Sequence, residues 1–220
     1  MSDHPPSQAA APVALLRASA LHLRWGERAV FTHLDLNIEP GLTLVHGDES
    51  CGKSSLLRLL AGDLAPQSGA FFLNGVPADA SALRQASYWT DMRSDAHDTI
   101  SARSYWASLQ TRYPAWDAVA LDALVHGLGL AEHADKPLYM LSTGSKRKVW
   151  LAAAFASGAR LLLIDEPFAA LDRASAACVG HWLGQAAQRT NRACVIADYQ
   201  APAGLALRQV LLRQGQAHAA

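Results

Sequence analysis

The spacing of apolar and polar positions changes several times along this 220-residue chain, and each change marks an element. Residues 15–25 and 34–38 read as extended segments joined by the polar turn Gly26-Glu27-Arg28, which predicts a pair of antiparallel strands. Leu42-Thr43-Leu44-Val45-His46 is an apolar run, and Ser55-Leu56-Leu57-Arg58-Leu59-Leu60 takes the spacing of an amphipathic helix. Residues 69–73 predict a strand that ends in an Asn74-Gly75 turn, and residues 86–90 predict another. From about residue 98 to 141 the pattern is helical, with helices expected at 101–111 and 116–127. Residues 143–157 predict a helix rich in alanine that stops at Gly158. Leu161-Leu162-Leu163-Ile164 has no polar alternation, so it predicts a strand covered on both faces, hence a central parallel strand. Residues 193–196 predict a further strand.

Composition narrows the class. The chain is half apolar, and 19 Lys and Arg balance 19 Asp and Glu, so it carries no electrostatic footprint for nucleic acid. No apolar run approaches the ~20 residues of a membrane-spanning helix. The segment Met1-Ser2-Asp3-His4-Pro5-Pro6 lacks the basic start and apolar middle of a secretory signal, and residues 1–12 predict a disordered tail. Residues 13–220 are expected to form one domain. Three cysteines without metal-ligand spacing fit free thiols in a reducing cytoplasm. No histidine falls at metal-ligand spacing.

Chemistry enters at Gly47-Asp48-Glu49-Ser50-Cys51-Gly52-Lys53-Ser54, which fits the phosphate-binding pattern G-x-x-x-x-G-K-[ST] between a strand and a helix that opens at Ser55. Glycines there let backbone N–H groups wrap a β-phosphate, and the helix start adds its positive end. Lys53 is placed to reach the β- and γ-phosphates, and the Ser54 hydroxyl to ligate Mg²⁺. Cys51 is either a reactive thiol or a small residue that fits the loop. Two carboxylates, Asp165 and Glu166, end the central strand, where they are costly unless they hold a cation or do chemistry. Asp165 is expected to orient a Mg²⁺ shell and Glu166 to polarise the water that attacks a γ-phosphate. Capping of the next helix is the other reading of this acid pair.

With these residues in place, Leu141-Ser142-Thr143-Gly144-Ser145 resembles the L-S-G-G-Q signature of ABC-type ATPases, and Asp165 to Asp172 resembles that family's magnesium strand and D-loop. The resemblance runs from about residue 13 to 213. It implies a mixed α/β P-loop NTPase core with an antiparallel β edge and a helical subdomain near 92–158. It implies ATP and Mg²⁺ as cofactors, and a head-to-tail pairing with a second ATP-binding cassette in which Ser142 and Gly144 contact the ATP of the opposite subunit. It also implies membrane-spanning transporter subunits on separate chains, so that this chain sits at the inner face of the cell membrane through them. Trp25 stands where the family places an aromatic that stacks on adenine; an aromatic in the core is the alternative.

The chain also departs from that pattern. Asp91 replaces the glutamine expected after the strand at 86–90, and could meet a cation. No histidine follows the strand at 193–196; Asp198 or Tyr199 stands in its place. Thr143 and Ser145 alter the signature, and Ser50 stands for a glycine, which is costly if that backbone needs φ > 0. Asp48 and Glu49 oppose a polyphosphate unless they point outward. Two functions follow from these features. One is an ATP-hydrolysing subunit that powers a transporter. The other is a degenerate ATP-binding module with little hydrolysis, paired with another ATPase chain.

Overall fold

The computed structural model describes residues 14–92, 94–213 and 215–219, and the tail expected at 1–12 lies outside them. Strands β1 (Leu16–Trp25) and β2 (Arg28–Ile38) pair antiparallel, with Leu16 opposite Ile38 and Trp25 opposite Arg28. The second strand therefore begins earlier than residue 34, and the turn shrinks to Gly26-Glu27. Strand β3 (Gly41–His46) leads through the glycine-containing loop into helix α1 (Lys53–Leu60). Strands β4 (Ser68–Leu73) and β5 (Val76–Ala78) pair around Asn74 and Gly75, whose φ values of 49° and 81° are those the expected tight turn requires.

One expectation needs correcting here. Residues 86–90 do not form a five-residue strand: a short helix α2 (Ala80–Ala86), capped by Asp79, takes Ala86, and strand β6 keeps only Ser87–Tyr88. Helices α3 (Ala102–Arg112), α4 (Ala118–Gly127) and α5 (Thr143–Ala156) then follow as the periodicity expects. Beyond them come β7 (Leu161–Asp165), α6 (Arg173–Ala187), β8 (Ala193–Ala197), β9 (Arg208–Arg213) and β10 (Gln216–Ala219).

The strands form two sheets. An antiparallel sheet runs β2-β1-β4-β5, and a six-stranded sheet runs β10-β9-β3-β8-β7-β6, parallel except at β10. β7 lies between parallel neighbours on both sides, as four consecutive aliphatics require. Alternate residues of that sheet serve two cores. Leu161 and Leu163 pack with α1 and the antiparallel sheet, whereas Leu162 and Ile164 pack with α3, α4, α5 and α6. Leu56, Leu57, Leu59 and Leu60 are fully buried, so α1 is held between the two sheets. No helix among the described residues is long and apolar enough to cross a membrane.

Candidate functional site

Parallel strands place their C-terminal ends at one edge, and the chemistry of this chain collects there. β3 ends at His46 before the loop, β7 ends at Asp165, and β8 ends at Ala197 before Asp198 and Tyr199. A cleft of about 360 Å³ opens at that edge, lined by Trp25, Glu49, Lys53, Ser54, Asp165, Glu166 and Tyr199 among others.

The helix starts show what the cleft is built to take. α2, α3, α4, α5 and α6 each begin at an Asp or Ser whose side chain accepts a backbone N–H: Asp79, Ser101, Asp117, Ser142 and Asp172. Among the described residues, α1 is the one α-helix without such a cap; it starts at Gly52. Its first turn lines the cleft without a side-chain cap, which suits an anionic ligand. Gly52 holds φ 105°, and a Cβ there would meet Val30 at 2.8 Å and Phe31 at 2.9 Å, so no larger residue fits.

Lys53 is buried, and its ammonium donates to the carbonyls of Gly47 at 2.9 Å and Asp48 at 3.1 Å. The Tyr199 ring covers it, 4.1 Å from the ammonium to the ring centroid. The Ser54 hydroxyl donates to Asp165 Oδ2 at 2.5 Å, so two hard oxygen donors from distant parts of the chain meet. One hydroxyl and one carboxylate fit Mg²⁺, which is held by few protein oxygens plus phosphate and water. Ser55 lines the cleft beside Ser54. Cys51 packs its Sγ towards Gly47 within the loop.

Two non-glycine residues in this region adopt left-handed backbone. Ser50 has φ 59°, the strained conformation expected if a glycine position is filled. Arg28 donates to the Ser50 carbonyl at 2.7 Å and braces it. Glu166 has φ 48°, its amide donates to Ala197 O at 2.8 Å, and its carbonyl accepts from Arg147 and from the Ala169 amide at 3.1 Å.

Electrostatics separate the two candidates after β8. Burial and the neighbouring Glu166 push the Asp198 carboxyl up, against the Tyr199 amide, Lys53 and Arg147, which pull it down. The Tyr199 amide donates to Asp198 Oδ1 at 2.7 Å. Desolvation and then Glu49, Glu166 and Asp165 push the Tyr199 phenol up, so it stays neutral and able to donate.

Other expected residues lie elsewhere, or differ from expectation. Trp25 is half exposed at the cleft, not in the core. Asp48 is exposed, but Glu49 lines the cleft instead of turning away from it. Asp91 is exposed beyond β6, at the same sheet edge but outside the lining of the cleft. Ser142 and Gly144 open α5 away from that lining, and Gly144 packs so closely on the D-loop that a Cβ would meet Ala170 O at 2.5 Å. Arg28 and Arg147 are absent from the sequence-based candidates. The visible sign of Arg147 was three successive cations, Lys146-Arg147-Lys148, near the positive end of a helix, where cations are disfavoured.

Comparison with known proteins agrees with this arrangement. The profile of the ABC transporter family matches residues 31–169. The chain is 37% identical over 161 residues to the cytochrome c biogenesis ATP-binding export protein CcmA of Pseudomonas savastanoi pv. phaseolicola, covering 72% of this chain and 76% of that one. It is 40% identical over 173 residues to the CcmA of Bordetella parapertussis, covering 76% and 74% of the two chains. In fold it resembles a solved ATP-binding subunit of an ABC transporter, with a TM-score of 0.80 and 17% identity over 92% of this chain and 88% of that one.

Proposed function

Because the chain belongs to the ABC transporter family, as an ATP-binding subunit, we propose that it binds Mg²⁺-ATP at the start of α1 and hydrolyses it there with Glu166. The observation that carries this reading is the uncapped α1 N-terminus facing Lys53 and the Ser54–Asp165 pair. Loop amides from Gly47 to Ser55 take the β-phosphate, and Lys53 leaves the carbonyls of Gly47 and Asp48 to span the β- and γ-phosphates. Ser54 and Asp165 hold Mg²⁺, which would neutralise charge on the phosphate oxygens, and Asp91 adds a carboxylate at that edge. Trp25 stacks on the base. Glu166 orients the attacking water, with Asp198 beside it, and Tyr199 donates its phenol to the γ-phosphate. Ser142 and Gly144 face the nucleotide of a second cassette, so ATP closes a dimer and hydrolysis reopens it.

Subunits of this family work with membrane-spanning transporter chains, and the proposal includes docking on such chains at the inner membrane face. By its likeness to the CcmA proteins it also includes an export step in cytochrome c biogenesis. The carboxylate of Glu49 in the cleft opposes a polyphosphate, and Tyr199 supplies no positive charge, so turnover is expected to be slow or partner-dependent. The test is Mg²⁺-dependent phosphate release by wild type and Glu166→Gln. Loss of one transition-state contact costs about 10²–10³ in rate, so the variant should be nearly silent. Equal rates would remove Glu166 from its role. In cells, the wild-type gene but not Lys53→Ala should restore c-type cytochromes to a strain lacking the chain.

A second reading is favoured by one observation, the Tyr199 ring over the Lys53 ammonium. It makes the chain an ATP-binding module with little hydrolysis, paired with another ATPase chain. Co-purification of such a chain, with turnover lost when it is removed, would support it.

A further inference from the structure

We infer that Arg147 is the positioning residue for Glu166, and that through it the start of α5 governs where that carboxylate points. This rests on the proposed role of Glu166. Arg147 is one of three successive cations near the N-terminal end of α5, and each is drawn to a different part of the molecule. Lys146 donates to both oxygens of Asp98 at 2.6 and 2.8 Å, and Lys148 to Asp172 at 2.6 Å. Arg147 turns instead to backbone, donating to the carbonyls of Asp165 at 3.3 Å and of Glu166.

The target explains why a cation is needed there. Glu166 is a non-glycine residue in the left-handed region, and such a conformation persists only where the surroundings over-determine it. Its amide is fixed by Ala197 O and its carbonyl by the Ala169 amide, both backbone groups. Arg147 is the side-chain member of that set. It does not line the cleft, so it acts on the reaction through Glu166 and not on the substrate. Its charge also lies near Asp198 and pulls that carboxyl down, against Glu166, which pushes it up.

The link runs back to the start of α5. The Lys146 amide donates to Ser142 O at 2.8 Å, and Ser142 caps the helix by accepting from the Ser145 amide at 3.1 Å. Arg147 is carried on that same turn. A displacement of the turn, as when Ser142 meets a ligand, therefore moves the guanidinium that holds the Glu166 carbonyl.

The test measures kcat and KM for ATP in Arg147→Met, Arg147→Lys, Glu166→Gln and the Arg147→Met/Glu166→Gln double variant. Arg147→Met should lower kcat about 10- to 100-fold, the range seen when a supporting residue is lost, with KM little changed. Arg147→Lys should recover part of the loss, since an ammonium keeps the charge but not the fork that spans two carbonyls. It also answers the question alone if the methionine variant does not fold. The double variant should be no slower than Glu166→Gln, because a residue that acts through Glu166 has nothing to position once the carboxylate is gone. An unchanged kcat in Arg147→Met, a rise in KM matching the fall in kcat, or a double variant slowed by the full product of the two effects would overturn the inference. Wild-type turnover in Glu166→Gln would overturn the role of Glu166 and this inference together. A silent Glu166→Gln beside an unaffected Arg147→Met would overturn this inference alone.

Discussion

Two helix N-termini, those of α1 and α5, carry the two motifs of this chain, and they are built in opposite ways. α1 starts at Gly52 with no side-chain cap, within a loop whose Ser50 is held in left-handed backbone. α5 starts at Ser142, whose hydroxyl already accepts the Ser145 amide, and it carries three cations within its first two turns. The first has no side-chain cap, which suits an anionic ligand. The second is closed on itself, and a ligand there must compete with its own cap. On the proposed function the same dipole serves two purposes, primary binding at α1 and a conditional contact at α5.

The most damaging way to break this contrast is to fill the α1 start. Gly52→Ala puts a Cβ into Val30 and Phe31 and forces an alanine to positive φ, a strain of about 1–3 kcal/mol. Thermal unfolding should show that loss, and calorimetry should show ATP binding abolished. At the other helix, Ser142→Ala removes a cap, which costs about 1 kcal/mol of stability. Here ATP binding to the isolated chain should survive while ATP-driven dimerisation, followed by light scattering, is lost. If Ser142→Ala weakened ATP binding to the monomer, the division of labour between the two helices would be wrong.

Smaller changes sharpen the contrast. Ser50→Gly relieves a left-handed serine in the α1 loop and should raise stability by up to about 1 kcal/mol, offset in part by the greater freedom of glycine in the unfolded chain. The smallest effect is in the response to pH. Asp198, near the α1 site, is pushed up, so the folded state binds its proton more tightly than the unfolded state. Its contribution is unfavourable at neutral pH, and that penalty disappears as pH falls through the raised pKa. Asp172, tied to Lys148 of α5, is held well below the usual carboxylate range by Lys148 and Ser175. Its contribution is present at neutral pH and is lost as pH falls through the lowered pKa. Denaturant titrations of Asp198→Asn and Asp172→Asn across the acid range should therefore shift stability in opposite directions near neutrality.

Much of this was legible in the residues. β7 could be read because a strand covered on both faces shows no alternation, and the two acids at its end pointed either to chemistry or to capping of the next helix, whose cap is Asp172. α1 and its loop were readable because the glycine positions and Lys53-Ser54 are dictated by local geometry. β6 was overestimated because Ala86 satisfies a strand and a helix pattern equally, and the Asp79 cap decided for the helix. α2 was not among the expected elements, and α6 was expected only as a helix without bounds after the acid pair; it carries Gly180 and Gly184, which weaken a helical pattern that tertiary packing then enforces. Arg28 is not legible, and Arg147 only as one of three successive cations, because both bond backbone carbonyls far away in sequence, at Ser50 and at Asp165 and Glu166. Bonds of that kind leave no spacing in the chain to find.

The central claim is that the open N-terminus of α1, with Lys53 buried beside it, is an ATP site. Calorimetric titration of the purified chain with Mg²⁺-ATP, set against Lys53→Ala, tests it most directly. The account predicts binding by the wild type and a loss of affinity in the variant, whose cleft lacks the buried cation. Equal affinity in the two proteins would contradict it.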